Sequence, residues 1–205
     1  KVVDWGSKGS PIFVEIKKII SLDGNPKDDI FLIQEKYSLP NSYSDECINA
    51  ASSIVGLPIP NKESRKDYSN MITLAIDPES ARDHDDAISL EKTETGWLVV
   101  VHIADVTSYV KEGDHIDVEA RRRGNSVYFP DHHIPMLPLN ITQKLCSLTK
   151  EDIKAAISVE INLDKNCKIQ NYIFKRSLVK VDEYFSYSKA SSIINDQSSD
   201  YYEIM

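Results

Sequence analysis

Residues 72–88 constrain this chain most. A β-branched apolar run, Ile72 to Ile76, leads straight into four aspartates within ten residues: Asp77, Asp83, Asp85 and Asp86. A second apolar segment starts at once with Ala87 and Ile88. Both flanks have the pattern of strands packed on a core, so they hold the intervening loop near the interior instead of letting it splay into water. Two like charges about 4 Å apart repel by roughly 4 kcal/mol at an effective dielectric near 20. A cluster of four therefore needs open water, protonation or bound cations. Carboxylates offer only oxygen donors, which suit a hard cation such as Mg²⁺, with Mn²⁺ as the alternative. The pattern predicts a metal site for phosphoryl chemistry. It also predicts irregular backbone from Pro78 to Asp86, because in an extended strand Asp86 would face away from Asp83 and Asp85.

Competing readings of the same residues are weaker. A solvated acidic loop is the ordinary fate of Asp83 to Asp86 taken alone. A calcium loop counted from Asp83 places Ala87 at its fifth position and Ile88 where glycine is required. A phosphatase with an aspartate nucleophile wants a second aspartate where Glu79 stands.

The totals fit this chemistry. The 205 residues suit one domain, or one domain and a fragment, and 41% hydrophobic content is enough for a core. A net charge of −8 argues against a broad basic face gripping duplex nucleic acid, but not against a strand led into a local channel beside bound metal. No apolar run reaches the length of a membrane span, and no secretory signal stands at the start. Lys1 in place of methionine reads as an excised piece. Cys47, Cys146 and Cys167 are few and widely spaced, which points to reduced thiols in a cytoplasmic protein.

Along the chain, residues 12–20 alternate as a strand, and Asn25 with Pro26 opens a helix. Ser44 caps a second helix with Cys47, Ile48, Ala51 and Val55 on one stripe. A stiff connector around Pro58 and Pro60 suggests a domain boundary, giving 1–60 and 61–205. Strands are expected from Asp86 to Leu90 and from Trp97 to Ala104, joined by a turn at residues 93–96. A helix is expected from Asp114 to Arg123, closed by Gly124. Residues 130–138 carry three prolines and read as a fixed loop, and 141–148 as a short helix. Two long strands, 155–163 and 168–181, precede a helix from Ser186 to Asn195 and a polar tail expected to be disordered.

Several side chains have bland readings. His102 alternates with apolar neighbours and reads as a hydrogen-bonded core histidine. His132 and His133 lack partners at metal-site spacing and read as loop residues. Tyr128 reads as a core aromatic. Arg121, Arg122 and Arg123 complement a helix C-terminus, with phosphate contact as the functional alternative for one or two of them. The cysteines read as structural.

With these residues in view, the chain resembles the RNase II / RNase R (RNB) exoribonucleases. Asp77, Ala81, Arg82, Asp83, Asp85, Asp86 and Ala87 reproduce the family spacing D-x-x-x-A-[KR]-D-x-D-D-A. Further blocks follow in order around His102 to Val110, Glu119 to Tyr128, Ile134 to Pro138 and Leu145 to Leu148. The first sixty residues resemble the end of a cold-shock-like oligonucleotide-binding domain and its linker. The resemblance implies an α+β fold, a mixed sheet with helices, preceded by the end of an OB-type barrel. It implies a processive 3′→5′ exoribonuclease that takes the 3′ end of single-stranded RNA, uses Mg²⁺ and releases nucleoside 5′-monophosphates, with DNA not expected as natural substrate. Asp77 and Asp86 match the principal metal ligands, Asp85 the aspartate most needed for the chemical step, and Asp83 completes the cluster. Tyr128 matches a tyrosine that packs on the RNA 3′-terminal nucleotide. The alternative is a family member that binds RNA or scaffolds without cutting.

Four positions depart from the pattern. His84 stands where the family often has an aromatic residue, and Tyr184 where a basic residue is usual. Leu139 replaces a frequent acidic residue and Lys154 a common arginine. The family's catalytic domain runs past Met205, so an arginine at the scissile phosphate, a second aromatic clamp and a C-terminal RNA-binding domain are expected beyond it. The 205 residues alone are accordingly expected to be weak or inactive.

Overall fold

The computed structural model describes residues 2–16, 19, 26–130, 132–199 and 201–202. These form two compact units, Lys1–Ser42 with Tyr128–Ile134, and Tyr43–Val127 with Pro135–Met205.

In the first unit, β1 (Val2–Asp4) pairs antiparallel with β2 (Phe13–Val14). Of the strand expected over 12–20, only this two-residue piece is a strand among the described residues. Among the described residues this two-stranded ladder does not show the expected end of an OB-type barrel. Helix α1 (Pro26–Lys36) carries Asp28 and Asp29 in its first turn and Lys36 in its last, matching the sign of the helix dipole. Its expected cap, Asn25, lies outside the described residues.

In the second unit, helix α2 (Asp45–Ile54) starts where Ser44 Oγ accepts the Cys47 N–H at 3.2 Å. The sheet is built from β3 (Lys66–Asp67), β4 (Thr73–Asp77), β5 (Asp86–Lys92), β6 (Gly96–Ala104), β9 (Lys154–Asp164), β10 (Ile169–Val179) and β11 (Glu183–Ser186). Helix α3 (His115–Arg123) and the two short strands β7 (Val127–Tyr128) and β8 (His133–Ile134) lie between β6 and β9 in sequence. The strand order is β11-β4-β5-β6-β9-β10-β3. The two outer pairs, β11 with β4 and β10 with β3, are parallel, and the inner pairs are antiparallel. Local hairpins explain the inner strands. Gly96 closes the β5–β6 turn, where Thr93 N–H donates to its carbonyl at 2.9 Å. A Cβ on Gly96 would lie 2.1 Å from the Leu163 carbonyl oxygen, and its φ of +156° also favours glycine.

One sheet face buries Ala75, Ala87, Val100, Ala156 and Val179 against Tyr68 and Leu148. On the same sheet, Thr73 Oγ1, Ser89 Oγ, His102 Nε2, His102 Nδ1, Ser158 Oγ and Ser177 Oγ form a hydrogen-bonded chain with links of 2.5–2.9 Å. His102 is fully buried, and burial pushes its pKa down to about 4. It is the satisfied core histidine its sequence setting implied. Arg65 and Asp105 are sealed against each other at 2.9 Å, with Arg65 also donating to the Ala156 and Ser177 carbonyls.

A second cluster joins α2 and α3 through Cys47, Ala51, Ile116, Ile141 and Leu145. Asp114 caps α3 by accepting two backbone N–H groups at 2.8–2.9 Å, and Gly124 ends it with φ of +78°. Residues 140–146, expected as a short helix, form a π-helix. The loop at 130–138 contains β8, a strand not foreseen. The helix at the end is α4 (Tyr187–Ile194), capped by Ser186 Oγ on the Lys189 N–H. In the polar tail, expected to be disordered, the described residues carry turns: Ser199 N–H donates to the Asp196 carbonyl and Tyr202 N–H to the Ser199 carbonyl, and Tyr201 packs edge-on to Phe185 at 5.1 Å. All three cysteines are free, with Cys47 and Cys146 buried. Among the described residues no helix is long and apolar enough to cross a membrane.

Candidate active site

Asp77 is the last residue of β4 and Asp86 the first of β5, so the aspartate loop is the connection between two paired strands. Its backbone is irregular from Pro78 to Asp85, as the spacing predicted, with Asp86 already in the strand. A turn at its start has Ala81 N–H donating to the Pro78 carbonyl at 2.9 Å. The far end is tied down on both sides. His84 N–H donates to Ser147 Oγ at 3.0 Å, and the His84 carbonyl accepts the Leu148 N–H at 2.9 Å. The Asp85 carbonyl accepts the Ala104 N–H at 2.8 Å. The block at Leu145–Leu148 is therefore a backbone clamp for the aspartates.

The side chains gather around this clamp. His84 Nδ1 lies 2.7 Å from Asp77 Oδ2. The imidazole stacks on the Tyr184 ring at 4.3 Å and 18°. Tyr184 Oη donates to the Leu148 carbonyl and accepts the Lys150 N–H, both at 3.0 Å. Burial is the main reason the Tyr184 phenol sits above its ordinary pKa. Alongside lies a cleft of about 360 Å³ bordered by Asp77, Glu79, His84, Tyr184, Ser186 and Lys189.

Asp85 records the electrostatics. Its carboxyl is pushed above the ordinary aspartate range, first by desolvation, then by the charges of Asp83, Asp86 and Asp77, with His84 opposing. Part of the residue remains open to solvent. The strand–loop–strand path thus brings Asp77, Asp83 and Asp86 within electrostatic reach of Asp85. It does not close them into a finished cage: among the described residues, no three His, Cys, Asp or Glu side chains are grouped to hold a metal ion. The donor set still fits a hard divalent cation. It is all carboxylate oxygen, and the repulsion at Asp85 is what added positive charge would relieve.

Other candidates fall elsewhere. Tyr128 belongs to the other compact unit, is 72% exposed and stacks on His133 at 5.5 Å. His132 stacks on Phe129 at 4.9 Å and contacts Gln34 Nε2 at 3.3 Å. The arginine run serves the helix. Arg121 pairs with Asp117, Arg122 and Arg123 pair with Glu119, and Arg123 lies 3.8 Å over the Tyr43 ring. Lys154 donates to the Lys144 carbonyl at 2.7 Å. Sequence reasoning missed Ser147, Lys150 and the role of Tyr184. The signal available was that positions 84 and 184 both depart from the family pattern.

Comparison with known proteins gives the family and the fold. The RNB domain profile matches residues 65–203. Ribonuclease R of Aquifex aeolicus is 36% identical over 200 residues, covering 95% of this chain and 28% of that protein. The chain thus spans under a third of that relative's length. The structure of Mycoplasma genitalium RNase R in complex with double-stranded RNA superposes with a TM-score of 0.85 at 25% identity, over 97% of this chain and 36% of that one. Yeast Ssd1, described as a pseudonuclease, shares the fold with a TM-score of 0.72 at 21% identity, over 86% of this chain and 23% of that one.

Proposed function

The chain belongs to the RNB family, and from that premise we propose that it carries the acidic centre of a metal-dependent exoribonuclease. In this reading the enzyme hydrolyses single-stranded RNA processively from the 3′ end and releases nucleoside 5′-monophosphates. The observation that carries it is the placement of Asp77, Asp83, Asp85 and Asp86 on or at the ends of one loop, between β4 and β5, that is clamped at Ser147 and Leu148.

The division of labour follows from position. Asp77 and Asp86, at the facing ends of paired strands, are the principal ligands for Mg²⁺, or for Mn²⁺ in its place. Asp83 and Asp85 complete the acidic set, and Asp85 is the carboxylate most needed for the chemical step. When bound, the cation lowers the pKa of a coordinated water and offsets the charge that makes a phosphodiester resist attack. His84 holds one Asp77 oxygen at 2.7 Å, and the other would serve the cation. The clamp at Ser147 and Leu148 keeps the loop from relaxing outward under its own repulsion. Tyr128, exposed on its hairpin, offers a face on which a terminal base can stack, a contact worth about 1–3 kcal/mol.

The test is to incubate the natural full-length polypeptide with single-stranded RNA labelled in its 3′-terminal nucleotide and Mg²⁺. Mononucleotide release and its loss in Asp85→Asn support the proposal. RNA that binds but stays intact would favour a member that binds RNA without cutting.

A further inference from the structure

Two positions where this chain departs from the family pattern, His84 and Tyr184, are a hundred residues apart in sequence and meet face to face at 4.3 Å. The contact has direction. His84 points Nδ1 at Asp77 Oδ2, 2.7 Å away, and the Tyr184 ring covers the imidazole. Tyr184 is itself pinned through Oη to the Leu148 carbonyl and the Lys150 N–H. The same short segment, through Ser147 Oγ and the Leu148 N–H, holds the His84 backbone. Ring, backbone and carboxylate are thus fixed to one segment. Strand pairing supports the arrangement: β11 runs parallel to β4 with Tyr184 opposite Ala75 and Ser186 opposite Asp77.

We propose that His84 and Tyr184 are a matched positioning pair for Asp77, in which position 84 supplies the N–H donor and position 184 the ring that holds it in plane. The family's usual residues, an aromatic at 84 and a base at 184, contain the same two parts with places exchanged. A guanidinium at 184 lying on a ring at 84 could offer its N–H to the same Asp77 oxygen. Asp77 needs one donor and one platform, and either side can supply each. A partner that orients a ligating carboxylate in this way commonly affects metal affinity or activity by about 10–100-fold. The effect on metal rests on the nuclease reading above; the pairing itself does not.

Three measurements on the natural full-length polypeptide test this. Long-range ¹H–¹⁵N NMR at about pH 8, above the ordinary histidine range, reports the His84 tautomer, and Nδ1–H is expected. Free Mn²⁺ measured by electron paramagnetic resonance gives the affinity of each variant, with folding checked by circular dichroism. His84→Phe is expected to weaken Mn²⁺ binding about 10-fold or more and to lower kcat with KM for RNA unchanged. His84→Asn, which keeps an N–H donor, recovers part of the loss, and His84→Phe with Tyr184→Arg recovers most of it. An Nε2–H tautomer, wild-type Mn²⁺ affinity in folded His84→Phe, or a double variant no better than the single would overturn the pair. Should the wild type bind no Mn²⁺, the nuclease reading falls while the tautomer still decides the pairing.

Discussion

Arg65 donates to Asp105 Oδ2 at 2.9 Å, with both side chains shut off from solvent. The pair ties the segment leading into the edge strand β3 to the end of β6, past β9 and β10. Burial alone would raise the Asp105 pKa, yet hydrogen bonds from Ser108, Thr107 and Arg65 hold it below the ordinary aspartate range. A charge so placed is costly once its partner is gone. Arg65→Met is therefore expected to destabilise the fold by about 3–5 kcal/mol, because it leaves Asp105 buried and unpaired. Replacing both residues by apolar ones of similar size should recover much of that. Urea unfolding with an unchanged m-value measures both.

His102 makes stability depend on pH. Its folded pKa is about 4, below the ordinary value of 6.5, so the unfolded chain binds the proton more readily. The contribution is fully present above about pH 6.5 and is lost as pH falls from there through 4. Over that window it amounts to about 3 kcal/mol. Chemical denaturation at a series of pH values should show a slope that His102→Leu removes, apart from the slope due to carboxylates, even though that variant starts out less stable.

Gly96 and Gly113 both have positive φ but differ in surroundings. A Cβ at Gly96 meets the Leu163 and Asp164 backbone, whereas at Gly113 it meets nothing within 4 Å. Gly113→Ala should cost about 1–2 kcal/mol from conformation alone. Gly96→Ala should cost clearly more, since backbone atoms of β9 must move. Thermal unfolding of the two variants side by side gives the comparison.

Charge crowding at the aspartate loop implies a trade between stability and function. Because the folded state raises the Asp85 pKa, ionised Asp85 weakens the fold as pH rises through that value. Asp85→Asn keeps the shape and removes the charge. In metal-free buffer near neutral pH it should melt higher than wild type. It should also gain less from added Mg²⁺. A lower melting point in metal-free buffer would mean that the repulsion is relieved in some other way.

Much of this molecule is legible in its sequence where the signal is local. Ser44, Asp114 and Gly124 mark helix ends because capping depends on residues a few positions apart. The strands flanking the aspartates and the turn at Gly96 follow from alternation and turn chemistry. What could not be read is non-local. The pairings of β11 with β4 and β10 with β3 are parallel and have no hairpin to announce them. The stack of His84 on Tyr184 joins residues whose separate oddities were visible but whose proximity was not. The π-helix at Asn140–Cys146 shares the apolar spacing of an ordinary helix. The arginines before Gly124 could have met phosphate or carboxylate, and only folding shows Glu119 and Asp117 in reach. The four aspartates were legible as a group, while the hydroxyl and the backbone N–H that clamp them were not, because Ser147 and Leu148 lie some sixty residues further along.

Calorimetric titration of Mg²⁺ into the natural full-length polypeptide, beside Asp77→Asn and Asp86→Asn variants, addresses the acidic centre most directly. The account predicts saturable binding at millimolar concentration or tighter, weakened about 10-fold or more by either substitution. No saturable binding to the wild type, or binding that both substitutions leave untouched, would contradict it.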